Sequence, residues 1–258
     1  MATLMRTRFT LAVAAGAALG ALLLTSAWVF YVDDRQPSHS PMVGMLTIDL
    51  PEGRGLGTAV LVDACGILTT FHAAFGPWYV TALRAPSREF PAIFTLTEVT
   101  LPDGTHPTTH ATPVVWGDYR GPDRQIRSPG NDWAYLVLDR CLGAKHGYFN
   151  LRLLEPEELT GSSDGFAAIG YASGRQMIDT GCSIRSATAK GAWLHDCALL
   201  AGDSGSPIVR RGTLTLVGLG SSFVAGSGEP SCTGDNALRR DWDDHCANLA
   251  VPVTWDMI

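Results

Sequence analysis

Charged residues are scarce in this sequence, and basic residues do not outnumber acidic ones. Asp, Glu, Lys and Arg make up 17% of the 258 residues, and the formal net charge is -6 at pH 7. Nucleic-acid-binding domains usually carry a basic surface, so no nucleic-acid partner is expected. Runs that favour long helices are also few, whereas Gly and Pro occur 28 and 15 times. The sequence therefore argues against a fold built from long helices.

Patterns of metal ligands are missing as well. None of the six cysteines forms a C-x-x-C pair, which argues against a structural zinc site. His106 and His110 have the spacing of a metal site on a helix, but Pro107 and the nearby threonines argue against a helix there. We therefore expect no bound metal and no other cofactor.

The cysteines instead favour disulfide bonds. Their number is even, and an exported chain with an even number usually pairs them, although sequence alone allows 15 pairings. Two pairs would close short local loops, and the third pair is what remains. The predicted bridges are Cys182–Cys197, Cys232–Cys246 and Cys65–Cys141.

The N-terminus lacks charge over a long stretch. Arg6 and Arg8 precede residues 9–32, which contain no charged side chain. A positive region followed by an apolar stretch is typical of an export signal. The stretch is also long enough to span a bilayer, so a cleaved signal peptide and a retained membrane anchor both stay open. We predict a signal or anchor over 1–32, a linker over 33–41, and export to the periplasm or the medium.

The rest of the chain consists of short apolar and β-branched runs separated by turn residues. Residues 57–62, 66–71 and 92–101 are clear examples. Strands at this spacing predict an all-β sandwich or a pair of barrels. Two polar stretches, 101–113 and 117–131, are predicted to be loops.

Residues 202–207 read Gly-Asp-Ser-Gly-Ser-Pro and form the most specific segment of the sequence. A serine hydroxyl is a weak nucleophile, which needs an adjacent base and backbone N–H groups that bind the oxyanion. Glycines on both sides of Asp203 and Ser204 permit the tight turn that this chemistry requires. The same six residues would also suit an ordinary surface turn.

A histidine and an aspartate accompany strand-like runs in the first half of the chain. His72 ends the run Ile-Leu-Thr-Thr-Phe-His, and Asp132 begins the run Asp-Trp-Ala-Tyr-Leu. A lone histidine or aspartate at such a position is usually structural. However, the order His, Asp, Ser is one of those found in catalytic triads. His72, Asp132 and Ser204 are therefore the predicted catalytic residues.

Three segments together resemble a known family. Residues 69–72, 131–136 and 202–207 look like the histidine, aspartate and serine boxes of the trypsin-like, chymotrypsin-fold serine peptidases. The resemblance is to the bacterial branch related to glutamyl endopeptidases, and it covers residues 43–253. It implies two antiparallel six-stranded β-barrels, at 42–150 and 165–258, joined by a connection over 151–164, with the active site in the cleft between them.

The resemblance also implies a role for each site residue. Ser204 would attack a peptide carbonyl, His72 would take and return the proton, and Asp132 would hold the histidine. The N–H groups of Gly202 and Ser204 would form the oxyanion hole, and Ser221 would support the aspartate. The expected function is that of a serine endopeptidase acting on peptides or proteins.

The residues predicted to line the primary specificity pocket differ from those of the trypsin branch and of the glutamyl branch. Ala198 stands where the trypsin branch has an aspartate, and Leu199 follows it. No histidine lies near Gly220 and Ser221, where the glutamyl branch has one. Ala198 and Leu199 would line the pocket, and Gly220 would leave it open. Because these residues offer no charge, the sequence predicts a preference for small or medium apolar residues before the scissile bond.

The family's usual N-terminal start is also missing. Residues 42–45 read Met-Val-Gly-Met, which is only a loose match to Ile-Val-Gly-Gly. The sequence therefore leaves open whether a newly cut N-terminus activates the protein.

Two other functions are alternatives to this one. A catalytically inactive, protease-like binding module would share the fold, but such proteins usually lose a triad residue. A serine esterase of the α/β-hydrolase type would need Gly-x-Ser-x-Gly and the order Ser, Asp, His, which this chain does not have.

Overall fold

The computed structural model describes residues 35–50, 53–76, 92–118, 128–154, 158, 165–223 and 248–257. All of them belong to one compact unit, Asp34–Ile258. The predicted export or anchor segment, together with Cys232 and Cys246, lies outside these residues. No helix in the described ranges is both long and apolar enough to cross a membrane.

The first half of the fold is a closed antiparallel barrel of six strands. A short strand, β1 (Gln36–Pro37), precedes it. The barrel strands are β2 (Val43–Leu50), β3 (Gly53–Leu61), β4 (Gly66–Thr69), β5 (Ala92–Thr95), β6 (Thr108–Trp116) and β7 (Ala134–Leu138). They follow the order β2-β3-β4-β7-β6-β5, and β5 pairs back onto β2 to close the barrel. The apolar side chains of Leu46, Phe94 and Leu136 fill the interior.

The prediction of a loop over residues 101–113 was wrong for its last part, because β6 begins at Thr108. Thr109 and Ala111 are buried there, whereas Thr108 and His110 face outward. This is the period-two alternation of a half-buried strand. It was missed because the inward-facing residues are a threonine and an alanine rather than large apolar side chains.

The second half is a nine-stranded sheet curved into a half-barrel. Its strands after β1 are β8 (Asn150–Leu151), β9 (Phe166–Gly170), β10 (Met177–Cys182), β11 (Ile184–Ala187), β12 (Trp193–His195), β13 (Pro207–Arg210), β14 (Thr215–Phe223) and β15 (Asn248–Pro252). The order is β1-β10-β9-β13-β14-β15-β12-β11, with β8 parallel to β14. The predicted all-β, two-barrel architecture is confirmed, although this second sheet stays open over the described residues.

Helices are short. They are α1 (Phe71–Phe75), α2 (Leu142–His146) and 3₁₀ helices at Pro129–Asn131, Ala172–Gly174 and Trp255–Met257.

One buried cluster joins the two halves. It contains Val60, Leu68 and Trp133 from the first barrel together with Tyr171 and Leu219 from the second sheet. Removal of apolar surface from water is the main stabilising term in folding, so this shared cluster holds the two halves together. Any site between them is therefore built on a rigid frame.

The segment predicted to be a linker, 33–41, is partly packed against the second half. Gln36 pairs with Ile178 and Pro37 with Met177. Arg35 is only 6% exposed. The edge of β10 offers backbone hydrogen-bond partners, and this segment takes them. In the predicted connection over 151–164, Leu151 belongs to β8, and most of the remainder lies outside the described residues.

Two of the three predicted disulfides are present in the structure. Cys65 pairs with Cys141 across 76 residues, and Cys182 pairs with Cys197 across 15 residues. In the chain-entropy model, the bridge that closes the shorter loop stabilises the folded protein by about 3 kcal/mol. Disulfides persist in oxidising compartments, which agrees with export.

His195, on β12, makes the stability of the fold depend on pH. Its side chain is fully buried, and its Nδ1 accepts the N–H of Cys197 at 3.1 Å. Burial lowers the pKa of His195 from 6.5 to about 4. The unfolded chain therefore binds a proton between these values that the folded chain does not, so stability is lost as pH falls through this window.

We expect the free energy of unfolding to fall by roughly 2 kcal/mol between pH 7 and pH 5 because of His195. Urea unfolding at both pH values measures this. His110→Gln, at an exposed position on β6, should keep the pH dependence, whereas His195→Gln should lose most of it. An unchanged dependence in His195→Gln would contradict the assignment.

Candidate active site

Ser204 lies on a tight turn that ends at β13. Gly202 and Gly205 flank it with φ values of 102° and 90°. These are left-handed conformations that favour glycine. A β-carbon on Gly202 would also lie 2.5 Å from the carbonyl oxygen of Tyr171. The two glycines noted in the sequence are thus required by the backbone of this turn.

The turn also orients the N–H group of Ser204. The carbonyl of Asp203 accepts the N–H of Ser206 at 2.8 Å. In a trans peptide the carbonyl and the N–H point in opposite directions, so the N–H of Ser204 points away from Ser206. Among the described residues, no acceptor is bonded to the N–H of Ser204 or Gly202. Both groups can therefore donate to a bound oxygen.

His72 and Asp132 are brought together by two neighbouring strands. Thr69 at the end of β4 pairs with Ala134 at the start of β7. His72 follows β4 on helix α1, and Asp132 precedes β7. The Nδ1 of His72 lies 2.7 Å from Oδ2 of Asp132, and the backbone N–H of His72 donates to Oδ1 at 3.1 Å.

The environment of this pair fixes the histidine ring. Asp132 is fully buried, whereas the side chain of His72 is 22% exposed. A carboxylate can only accept, so Nδ1 carries the hydrogen and Nε2 is the acceptor of the ring. The ring is thus held in the tautomer that can take a proton at Nε2.

Ser221, on β14, connects the aspartate with the serine. Its hydroxyl donates to Oδ2 of Asp132 at 2.5 Å. Its carbonyl oxygen accepts the hydroxyl of Ser204 at 3.3 Å. The structure therefore places Ser221 beside both residues, and the carboxylate of Asp132 accepts from three donors.

The histidine helix and the serine turn approach each other across β3. A β-carbon on Gly57 would lie 2.8 Å from that of Ala73 and 3.2 Å from the carbonyl oxygen of Ser204. A side chain at Gly57 would push the two apart. The absence of one lets helix α1 and the serine turn lie close together. Within the described residues, the hydroxyl of Ser204 bonds to Ser221 rather than to His72.

Thr58, next to Gly57, was not identified from the sequence. Its N–H donates to the carbonyl of Ser204 at 2.8 Å, and its hydroxyl donates to that of Gly202 at 2.9 Å. The same hydroxyl accepts the N–H of Tyr171 at 3.0 Å. Thr58 thus ties the first barrel to the serine turn. A threonine within an apolar strand gives no signal of this role.

The predicted pocket residues lie close together, but Gly220 does not leave open space. A β-carbon on Gly220 would be 3.1 Å from both methyl groups of Leu199, so Leu199 fills that position. Ala198 is 2% exposed, and its N–H donates to Oδ2 of Asp179 at 2.8 Å. Asp179 is a buried acidic residue on β10 that the sequence did not indicate, so an acidic side chain does contact the predicted pocket residues.

Comparisons with known proteins establish the fold. No protein-family model and no curated protein matches the sequence. A solved structure of a Glu endopeptidase is similar at 14% identity with a TM-score of 0.59, covering 86% of this chain and 92% of that one. Protease Anisep from Arthrobacter nicotinovorans is similar at 13% identity with a TM-score of 0.55, covering 83% and 92%.

A scabies mite inactivated protease paralogue is also similar, at 14% identity with a TM-score of 0.57, covering 85% of this chain and 93% of that one. The chain therefore has the chymotrypsin-like fold of the trypsin-like serine proteases. Because an inactivated paralogue shares this fold, the fold alone does not determine the function, which depends on the residues of the site.

Proposed function

We propose that this protein is a serine endopeptidase in which Ser204, His72 and Asp132 form the catalytic triad. The observation that carries the proposal is the buried carboxylate of Asp132, which holds the ring of His72 at 2.7 Å in the tautomer that a general base needs. Ser204 on its glycine turn, beside Ser221, supplies the nucleophile. The alternative is an inactive binding module with the same fold.

The proposed reaction proceeds through an acyl-enzyme. The Oγ of Ser204 bonds to the carbonyl carbon of the substrate while its proton passes to Nε2 of His72. The N–H groups of Gly202 and Ser204 stabilise the negative charge on the carbonyl oxygen. The proton then passes to the leaving amine as the peptide bond breaks. Water attacks the ester by the same route, which frees the acid and restores Ser204.

The proposed setting is outside the cytoplasm, in the periplasm or the medium. The two disulfides support an oxidising compartment. The apolar residues 9–32 would provide either a cleaved signal or an anchor in the membrane.

A fluorophosphonate probe tests the proposal on the purified full-length chain. We expect one covalent adduct per chain, on Ser204, and none in Ser204→Ala. Labelling of an exposed serine such as Ser186, or of no serine at all in correctly folded protein, would favour the binding module instead.

We also propose a preference for small or medium apolar residues before the scissile bond. Ala198 and Leu199 give the pocket an apolar wall, and a charge buried against it would cost several kcal/mol. A peptide library digested by the purified protein should therefore be cut mainly after Ala, Val or Leu. Ala198→Val should disfavour the larger of these by about 10-fold or more, since one methylene is worth about 1–3 kcal/mol.

The matched control is Ala187→Val, at an exposed position on β11, which should leave the profile unchanged. Cleavage mainly after basic residues would refute the apolar pocket and point to Asp179 as the residue that is recognised. Cleavage mainly after acidic residues would refute it as well.

A further inference from the structure

The segment that precedes the first barrel brings a buried positive charge to the serine turn. Nη1 of Arg35 lies 2.6 Å from Oδ2 of Asp203, and their side chains are 2% and 1% exposed. Asp203 directly precedes Ser204 in the chain. Arginine stays protonated at any physiological pH, so the carboxylate always has a cationic partner.

Residues 35–41, which we call the N-terminal arm, are hydrogen-bonded to the second half of the fold. Strand β1 pairs with β10, and the N–H of Ser38 donates to the carbonyl of Gln176 at 3.0 Å. The N–H of Ser40 donates to the Gln176 side-chain oxygen at 2.6 Å, and the side-chain nitrogen donates back to the carbonyl of Ser40 at 3.0 Å. These hydrogen bonds fix the position of the arm and therefore place Arg35 beside Asp203.

Asp203 controls the geometry of the turn through both its side chain and its backbone. Oδ2 accepts the N–H of Leu200 at 2.7 Å, and the Asp203 N–H donates to the carbonyl of Leu200 at 2.9 Å. The Asp203 carbonyl accepts the N–H of Ser206, which is the bond that orients the N–H of Ser204. A displaced carboxylate would thus rotate the peptide that carries one of the two proposed oxyanion donors.

We propose that Arg35 is a positioning residue that acts in a chain that has not been cut. Its guanidinium holds Asp203 in place, and Asp203 in turn positions the oxyanion donors. The inference rests on the proposed peptidase function. The cation that fixes the turn is a side chain of the N-terminal arm, so the site forms without a cut that creates a new amino terminus. The residues that precede Arg35 can remain attached to it.

The kinetic test compares Arg35→Met with Arg35→Lys in the full-length chain. Loss of one oxyanion donor lowers kcat by about 100-fold to 1,000-fold. We expect Arg35→Met to lose that much kcat at nearly constant KM, and Arg35→Lys to recover part of it because it keeps the charge. Arg54→Met is the matched control, since Arg54 pairs with Asp49 on the surface, and it should match wild type.

A second measurement does not depend on how the variants fold. The wild-type chain is labelled with a fluorophosphonate probe, and the N-terminus of the labelled species is determined by mass spectrometry. We expect labelled chains that retain Arg35. Labelled chains that all begin after Arg35 would overturn the inference, as would a folded Arg35→Met with the kcat of wild type. If wild type shows no labelling that depends on Ser204, the proposed function fails first.

Discussion

Replacing Ser204 by alanine is expected to lower kcat by about a million-fold if the proposed peptidase mechanism holds. The substitution removes the only atom that forms the acyl-enzyme, while the N–H groups of Gly202 and Ser204 remain available to bind the oxyanion. A small rate above that of water should therefore survive. Hydrolysis of a chromogenic peptide ester or amide by the purified chain measures the loss.

The members of a triad act as a unit, which provides a stricter test. His72→Ala should cost about as much as Ser204→Ala, and the double variant should lose little more than either single one. Ser186→Ala, at an exposed serine on β11, is the control and should behave as wild type. Turnover within tenfold of wild type in Ser204→Ala would remove this serine from the mechanism, as would additive losses in the double variant.

The residues that local sequence patterns identify are those whose role is decided by their own backbone. Gly202 and Gly205 could be assigned to a tight turn because their left-handed φ angles are accessible to glycine. His72 and Asp132 could be assigned because each adjoins an apolar strand, and the two strands are neighbours in the barrel. The six-residue serine segment indicated a serine nucleophile, and such a nucleophile needs a histidine and an aspartate as partners.

The residues that were missed act over long sequence distances. Arg35 meets Asp203 across 168 positions, and Thr58 meets Gly202 across 144. Neither contact leaves a local pattern, because each depends on how the two halves of the fold meet. One clue was available: a buried carboxylate beside the serine turn needs a partner, and Arg35 lies in the predicted linker.

The pocket shows a different limit of sequence reasoning. Ala198 was expected to line the primary pocket; in the structure it is buried, and its N–H bonds Asp179, on β10. The space beside Gly220 is likewise decided by the conformation of Leu199 rather than by the glycine itself. Specificity depends on which side chains converge on one volume, and one-dimensional patterns do not encode this.

Asp132→Asn is expected to lower kcat by about ten-thousand-fold, the second large effect. The carboxylate accepts from Nδ1 of His72, from the His72 N–H and from the Ser221 hydroxyl. An asparagine offers one acceptor atom in place of two. If its oxygen stays on the His72 N–H, its amide nitrogen faces Nδ1 and donates to it, which leaves the hydrogen on Nε2, where the proton of Ser204 should go.

The measurement that isolates this effect compares Asp132→Asn with Ser221→Ala. Ser221→Ala removes one of the three donors but leaves the carboxylate and the tautomer intact. A typical hydrogen bond contributes about 0.5–1.5 kcal/mol, so its loss should cost about tenfold or less in kcat. Equal losses of kcat in the two variants would mean that Asp132 only holds the fold together. A gap of about a thousand-fold in kcat, at matched thermal stability, would require that the negative charge of Asp132 sets the protonation of His72.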